Sequence, residues 1–304
     1  MNLPINHICV CICTYKRTSL LLRLLIELEN QKTNGMFSYS AVVVDNDDNH
    51  SAQEVVSGFK RTHSLDVEYF TEPNQNIALA RNKAVECARG NYIAIIDDDE
   101  FPDSDWLLKL YSALERSQSD GVLGPVRPHF EATCPSWIYK SGICERKSHS
   151  DGSILHAADT STANVLLKRE IFDEVDNRFD PKFGRTGGSD VRFFREVMQK
   201  GYTFVWCDDA FVNETVPPER WKASFYLKKA MRKGGLNGSW VRSQALPGRN
   251  LAVVLAAACV YTVVLPFTAV LGKSYCIKYL AKAAYHIAWV SGYFGHVYVR
   301  FRDD

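Results

Sequence analysis

Four acids close an apolar run at Asn91-Tyr-Ile-Ala-Ile-Ile-Asp-Asp-Asp-Glu100. Side chains alternate along an extended segment, so Asp97 and Asp99 turn to one side and Asp98 to the other. Two carboxylates converging on one point repel unless a cation neutralises them. Hard oxygen donors of this kind call for Mg²⁺ or Mn²⁺ rather than zinc. The plainer alternative is a solvated acidic turn capping a helix over Asp103 to Ser117. A second candidate is Asp190, which follows Gly187-Gly188-Ser189 at the start of a helical pattern. There the helix dipole favours negative charge, and the role is either an N-cap or a base. Arg81, one turn into another helix, offers a planar fork suited to phosphate.

The elements that must position these groups read as an α/β fold. Tyr92 to Ile96 is short, β-branched and uncharged, as suits a strand buried on both faces of a parallel sheet. The acids therefore sit at a strand's carboxyl end, where open α/β sheets bind ligands. Ile8 to Cys13 is a first strand, followed by a helix from Thr18 with Leu21, Leu24, Leu25 and Leu28 as its stripe. Ala41 to Val44 is a second strand ending at Asp45. A helix over Ser51 to Arg61, a strand over Val67 to Phe70 and a helix over Ile77 to Ala88 continue the alternation of a doubly wound, mostly parallel sheet. Thr14, Tyr15 and Asp45 then share the rim of Asp97 to Asp99. Val122 to Val126 resumes the sheet, 129 to 158 is an unpatterned excursion, Asn164 to Lys168 is a strand, and Tyr202 to Cys207 is the last one.

Charge divides the chain at about residue 219. Residues 1–219 carry 23 Lys+Arg against 33 Asp+Glu, whereas 220–302 carry 13 basic residues and no acid. The expected organisation is a catalytic domain over 1–219 and a basic, apolar, helical membrane-associating region over 220–304. Arg220 to Lys233 reads as a basic helix interrupted at Gly234-Gly235. Leu251 to Leu271 is uncharged and, at ~1.5 Å per residue, about as long as a hydrocarbon core is thick. Tyr275 to Val299 sets Lys278, Lys282, Tyr285 and Trp289 along one face, as an interfacial helix would. Basic residues ahead of the apolar run place its amino end in the cytosol. The expected partners are an anionic membrane surface and no nucleic acid, at the cytoplasmic face of the inner membrane. Nine dispersed cysteines without a metal-type knuckle, and no leader sequence, point to core packing in reducing cytosol.

Taken together, Cys-Thr14-Tyr15-Lys-Arg17, Val-Val-Asp45-Asn-Asp47, Ala80-Arg81-Asn82, Ile-Asp97-Asp98-Asp99-Glu and Gly187-Gly188-Ser189-Asp190 resemble the family-2 inverting glycosyltransferases of GT-A fold. The likeness spans residues 5 to 235 and is nearest in kind to bacterial enzymes of exopolysaccharide or surface-glycan synthesis. It implies a nucleotide-sugar donor held by Thr14, Tyr15, Arg17, Asp45, Arg81, Asp97 and Asp98. It further implies Mg²⁺ or Mn²⁺ on Asp97 and Asp99, Asp190 as the general base, and a lipid-linked glycan acceptor. The three consecutive aspartates leave open which pair holds the metal. Ser189 stands where the family often has an acid. Pro217 stands where a processive synthase would have glutamine ahead of Arg220-Trp221, which favours transfer of one sugar. Two other readings compete. A sugar nucleotidyltransferase would need a glycine-rich loop after the first strand, which Thr14 to Arg17 lacks. A non-catalytic, membrane-tethered nucleotide-sugar binder has no need for intact Asp97, Asp99 and Asp190.

Overall fold

The computed structural model describes residues 6–174, 178–243 and 250–297. By packing, the chain forms two compact units, one of residues 1–127 with 146–215, the other of 128–145 with 216–304. The partition expected at residue 219 concerns which part does chemistry and which meets lipid.

The first unit is built on β1 (His7–Thr14), α1 (Thr18–Glu29), β2 (Ser38–Asp45), α2 (Gln53–Thr62), β3 (Val67–Thr71), α3 (Ile77–Cys87), β4 (Tyr92–Asp97), β5 (Glu100–Pro102), α4 (Trp106–Ser117), β6 (Gly121–Leu123) and β7 (Val126–His129). After α5 (Ser136–Ser141), which belongs to the second unit, come β8 (Val165–Lys168), α6 (Ser189–Gln199), β9 (Phe204–Trp206) and β10 (Val212–Thr215). Seven strands form the main sheet in the order β3-β2-β1-β4-β8-β6-β9, with β8 antiparallel to both neighbours. A smaller sheet runs β5-β10-β7. The α/β fold with a mostly parallel sheet is therefore as expected from the alternation.

Period-two burial on β1 explains why two helical layers form. Ile8, Val10 and Ile12 face Leu21, Leu24, Leu25 and Leu28 of α1, Phe59 of α2 and Trp106, Leu107 and Leu110 of α4. Cys9 and Cys11 face Ala80, Ala84 and Val85 of α3 and Phe193, Phe194 and Val197 of α6. The alternating cysteines are thus core residues, and all nine cysteines are free thiols.

Several boundaries differ from the sequence reading. Val122 to Val126 is not one strand, because the chain leaves the main sheet at Gly124-Pro125. A Cβ on Gly124 would lie 2.1 Å from the Ala210 carbonyl oxygen. Asn164 is not a strand residue either. With φ 55° it is wholly buried, accepts from Trp106 Nε1 at 2.7 Å, and donates to the carbonyls of Pro125 and Ala210. That side chain ties α4 to the chain on both sides of the sheet edge.

The second unit contains α7 (Ala223–Arg242), α8 (Leu251–Val270) and α9 (Lys273–Tyr293). The expected break at Gly234-Gly235 is absent, since α7 runs through it. Those glycines, with Gly238 and Gly292, let the backbones of α7 and α9 touch. A Cβ on Gly234 or Gly238 would sit 2.1 or 2.0 Å from the carbonyl oxygens of Tyr285 and Trp289. Loss of side chains at a helix crossing is repaid in close packing. In consequence Trp289 is 2 % exposed, so the face expected to meet lipid at that residue is covered by α7 instead. Among the described residues, α8 is the one helix long and apolar enough to cross a membrane.

Candidate active site

Register decides which residues share the rim. Thr14 pairs with Asp45 across β1 and β2, and Cys13 with Asp97 across β1 and β4. Three strands therefore end level, delivering Asp45, Thr14 and Asp97 to one edge. Strand order also reverses between β1 and β4, the switch point at which diverging connections open a crevice.

Within that edge the three aspartates have different surroundings. Asp98 points inward at 4 % exposure; its Oδ2 accepts from the Thr14 hydroxyl at 2.8 Å and its Oδ1 from Arg17 Nη1 at 3.1 Å. The same nitrogen donates to Asp99 Oδ2, also at 3.1 Å. Asp97 is the most open, its side chain 34 % exposed and 3.4 Å from Arg81 Nη2. Burial raises the Asp98 carboxyl despite Arg17 and Thr14, which pull it down. Burial, then the charges of Asp97 and Asp98, push Asp99 up to about 6. A buried carboxylate cluster of this kind is a demand for more positive charge than one arginine supplies.

Glu100, the tail of the acid run, is 1 % exposed. Its Oε2 accepts the Asp97 N–H at 3.1 Å, while Oε1 accepts no hydrogen bond among the described residues. Burial, then Asp97, raises this carboxyl well above the usual range. Arg146 Nη2 stands 3.8 Å from Glu100 and 2.6 Å from Glu214, and Glu214 faces Glu100 across β10 and β5. The Glu100, Arg146 and Glu214 group thus props the turn that carries Asp97. Only its pairing across two short strands brings it together, so spacing in the sequence gave no signal for it.

Asp45 is fully buried. Its carboxylate accepts from the N–H groups of Asp47 and Ala52, at 3.1 and 2.7 Å, and from the Tyr69 hydroxyl at 3.0 Å. It fixes the turn leaving β2. Tyr15 is half-buried, with Lys16 Nζ 5.0 Å above its ring and 4.0 Å from Asp47.

Asp190 lies in the first turn of α6, after Gly187 and Gly188 at φ 90° and 98°. Left-handed backbone at two successive positions is open to glycine without strain. Asp190 is half-exposed, and its Oδ1 accepts the Val191 N–H at 2.9 Å. The loop ahead of it is pinned to α3. Asn82 exchanges two hydrogen bonds with the Phe179 backbone, at 2.9 and 2.8 Å. Asn76 caps α3, donates its side-chain N–H to the Pro181 carbonyl at 2.9 Å, and donates its backbone N–H to Asn46 Oδ1, just after β2, at 2.8 Å. Asp180 and Arg192 close the loop at 2.7 Å. The structure therefore brings Thr14, Arg17, Arg81, Asp97, Asp98 and Asp99 into contact. It sets Asp45 beside them in register and ties the Asp190 loop to the same rim through Asn46, Asn76 and Asn82.

Among the described residues, no group of three or more His, Cys, Asp or Glu side chains is placed to hold a metal ion. Mg²⁺ commonly takes only one or two carboxylates, with phosphate oxygens and water filling its shell. Asp97 and Asp99 fit that donor chemistry, and a cation would offset the charge that burial and the neighbouring aspartates disfavour at Asp99.

The model of the family described as "Glycosyl transferase family 2" matches residues 9–176. The "Succinoglycan biosynthesis protein ExoM" of Rhizobium meliloti strain 1021 is 30% identical over 297 residues, covering 95% of this chain and 93% of that one. Among solved structures, the mannosyltransferase PcManGT of Pyrobaculum calidifontis, in complex with GDP-Man and Mn²⁺, superposes with TM-score 0.63 at 17% identity. It covers 94% of this chain and 86% of that one. Residues 1–349 of TarS from S. aureus, in complex with UDP, give TM-score 0.54 at 16% identity over 96% and 93% of the two chains. At such identities the two structures speak for the GT-A fold alone.

Proposed function

We propose, from the premise that this chain belongs to glycosyl transferase family 2, that it moves one sugar from a nucleoside-diphosphate sugar to a hydroxyl of a glycan acceptor, with inversion. UDP-sugar is the first donor to try, and a lipid-linked acceptor in polysaccharide assembly is the proposed partner. The observation that carries this reading is the level ending of β2, β1 and β4, with Thr14, Arg17, Asp97, Asp98 and Asp99 joined at that edge.

The roles follow from chemistry. Tyr15 and the turn held by Asp45 receive the base. Arg17 and Arg81, already turned toward the acid cluster, exchange carboxylate for ribose or phosphate contacts as the donor enters. Asp98, buried and doubly bonded, keeps Thr14 and Arg17 in place. Asp97 and Asp99 would hold Mg²⁺ or Mn²⁺, which stabilises negative charge on a departing diphosphate. Asp190 accepts the proton of the acceptor hydroxyl as its oxygen bonds to the anomeric carbon from the side opposite the diphosphate. The bond from that carbon to phosphate oxygen breaks, and configuration inverts. Half-exposure of Asp190 leaves it open to an incoming hydroxyl.

The proposed organisation assigns catalysis to residues 1–219 and membrane association to 220–304. α8 supports the second assignment, with Val253, Val260, Val263, Phe267 and Val270 each more than half exposed. Burying this face in lipid would remove an apolar surface that water penalises. The place proposed for the enzyme is the cytoplasmic face of the inner membrane. The test is a panel of radiolabelled UDP-, GDP- and dTDP-sugars incubated with membranes containing the protein, followed by extraction of lipid. One donor should label the lipid extract, with loss of label in EDTA and recovery with Mg²⁺ or Mn²⁺. Labelling that is indifferent to EDTA would remove the metal from the proposal. No labelling from any donor would remove the lipid-linked acceptor.

A further inference from the structure

We infer that α8 lies lengthwise in the membrane interface, its axis parallel to the bilayer plane, and does not cross it. This rests on the membrane association proposed above and concerns how the second unit meets lipid. Charges on α7 and α9 stand level with the middle of α8.

Two sets of contacts fix those levels. Gly234 of α7 packs on Tyr285 of α9 and Gly238 on Trp289, with Asn237 Nδ2 2.8 Å from the Tyr285 hydroxyl. Numbers rise together in these pairs, so α7 and α9 run in the same direction. Lys228 and Lys229 therefore stand near the level of Tyr279, and Lys233 near that of His286. Between α8 and α9, Tyr261 meets Tyr279 edge-on at 5.9 Å and stacks on His286 at 5.4 Å. Lys282 Nζ lies 5.3 Å from the rings of both Tyr261 and Tyr279.

Tyr261 is the eleventh of the 20 residues of α8, at its middle. The exposed lysines 228, 229, 233 and 282 consequently stand level with the middle of α8. Were α8 upright across a bilayer, α9, which packs on it, and α7, which packs on α9, would be upright with it. Four ammonium groups would then sit near the hydrocarbon midplane, where charged side chains are most costly. With the helix axes parallel to the membrane, the conflict disappears. The outward face of α8, from Val253 to Val270, sinks below the headgroups. α9 lies behind it, and the basic α7 meets anionic headgroups within reach of their surface potential. Tyr261 and Tyr279, apolar bodies with polar tips beside Lys282, sit at the interfacial depth such rings favour. The occupant of the α8 face is thus an anionic bilayer.

Depth profiling of the full-length protein distinguishes the arrangements. The cysteines that are not buried, Cys13, Cys87, Cys144, Cys259 and Cys276, are replaced by alanine, and a fluorescent probe is attached to a cysteine introduced at Val253, Val260 or Phe267, all outward-facing. The protein is bound to vesicles of phosphatidylcholine and phosphatidylglycerol carrying nitroxide quenchers at a shallow or a deep acyl position. The three sites span ~21 Å along the helix. The inference expects the same shallow-to-deep quenching ratio at all three. A profile deepest at Val260 and shallow at both ends would overturn it while leaving membrane association standing. No quenching at any site would overturn both.

Discussion

Thr14 donates its hydroxyl to Asp98 at 2.8 Å, joining the end of β1 to the turn after β4 by a bond between two buried side chains. Thr14→Val keeps the shape and removes the donor, leaving a buried carboxylate oxygen without that partner. The expected cost is about 1–3 kcal/mol of stability, together with weaker donor binding as the Asp97 to Asp99 turn loosens. Thr14→Ser should restore both. Denaturant unfolding and nucleotide titration check this, and an unchanged Thr14→Val protein would contradict it.

Asp99 provides a pH test. Its carboxyl stands at about 6 in the folded chain against 3.8 as the ordinary value, so the folded state holds the proton more tightly than the unfolded state. The stability it contributes is complete below pH 3.8 and is lost as pH rises through about 6. In EDTA, Asp99→Asn should therefore be more stable than wild type above neutrality, by on the order of 1–3 kcal/mol, and little different near about pH 4. Mg²⁺ should stabilise the wild type more than the variant. Melting curves across pH, with and without Mg²⁺, decide it; a variant destabilised at every pH would show that Asp99 is held by net favourable contacts.

Asn82 holds both sides of the Phe179 peptide. Asn82→Ala leaves that N–H and carbonyl to find water, and should cost about 2 kcal/mol. Turnover should fall while nucleotide affinity changes little, because the loop being released leads to Asp190 and not to Thr14 or Asp98. Equal losses in nucleotide binding and turnover would mean that Asn82 serves the whole rim.

Much of this is legible in the sequence, for physical reasons that differ by element. The strands β1, β2 and β4 announce themselves as short uncharged runs because both their faces are buried, and α1 through a leucine stripe that meets Ile8, Val10 and Ile12. Asp97 to Asp99 stood out because acids ending such a run have few structural uses. What stayed hidden depends on distant partners. β5 and β10 are three and four residues long and are strands only because β10 pairs with β5 on one side and β7 on the other. The burial of Glu100 and its Arg146 and Glu214 neighbours follows from that pairing. Gly234 and Gly235 read as a break, since glycine costs helix stability in isolation; α7 runs through them, and Tyr285 and Trp289 of α9 occupy the space that side chains at Gly234 and Gly238 would need. The Asn46, Asn76 and Asn82 bridges were invisible for a similar reason, as asparagine in a loop is ordinary until its partners are known.

The outward face of α8 gives a test that spares the rest of the fold. Deleting α8 and α9 would strip Gly234 and Gly238 of their packing partners. Substituting Val253, Val263 and Phe267, each more than half exposed, with glutamine removes apolar surface alone. The full chain should remain in the membrane pellet through a high-salt wash. The triple variant should become salt-extractable, keep donor hydrolysis, and lose most transfer to a lipid-linked acceptor. Retention of the variant in the pellet at high salt would show that α8 is not the hydrophobic anchor.

The most direct measurement is single-turnover transfer by wild type and Asp190→Asn, with the donor found in the panel and saturating Mn²⁺. Asparagine keeps the size of the side chain and removes the base. The account predicts a transfer rate lower by ~10² to 10⁴, with donor affinity and melting temperature nearly unchanged and the wild-type product inverted at the anomeric carbon. A variant that transfers at more than about a tenth of the wild-type rate, or a wild-type product of retained configuration, would contradict the assignment of Asp190 as the base of an inverting displacement.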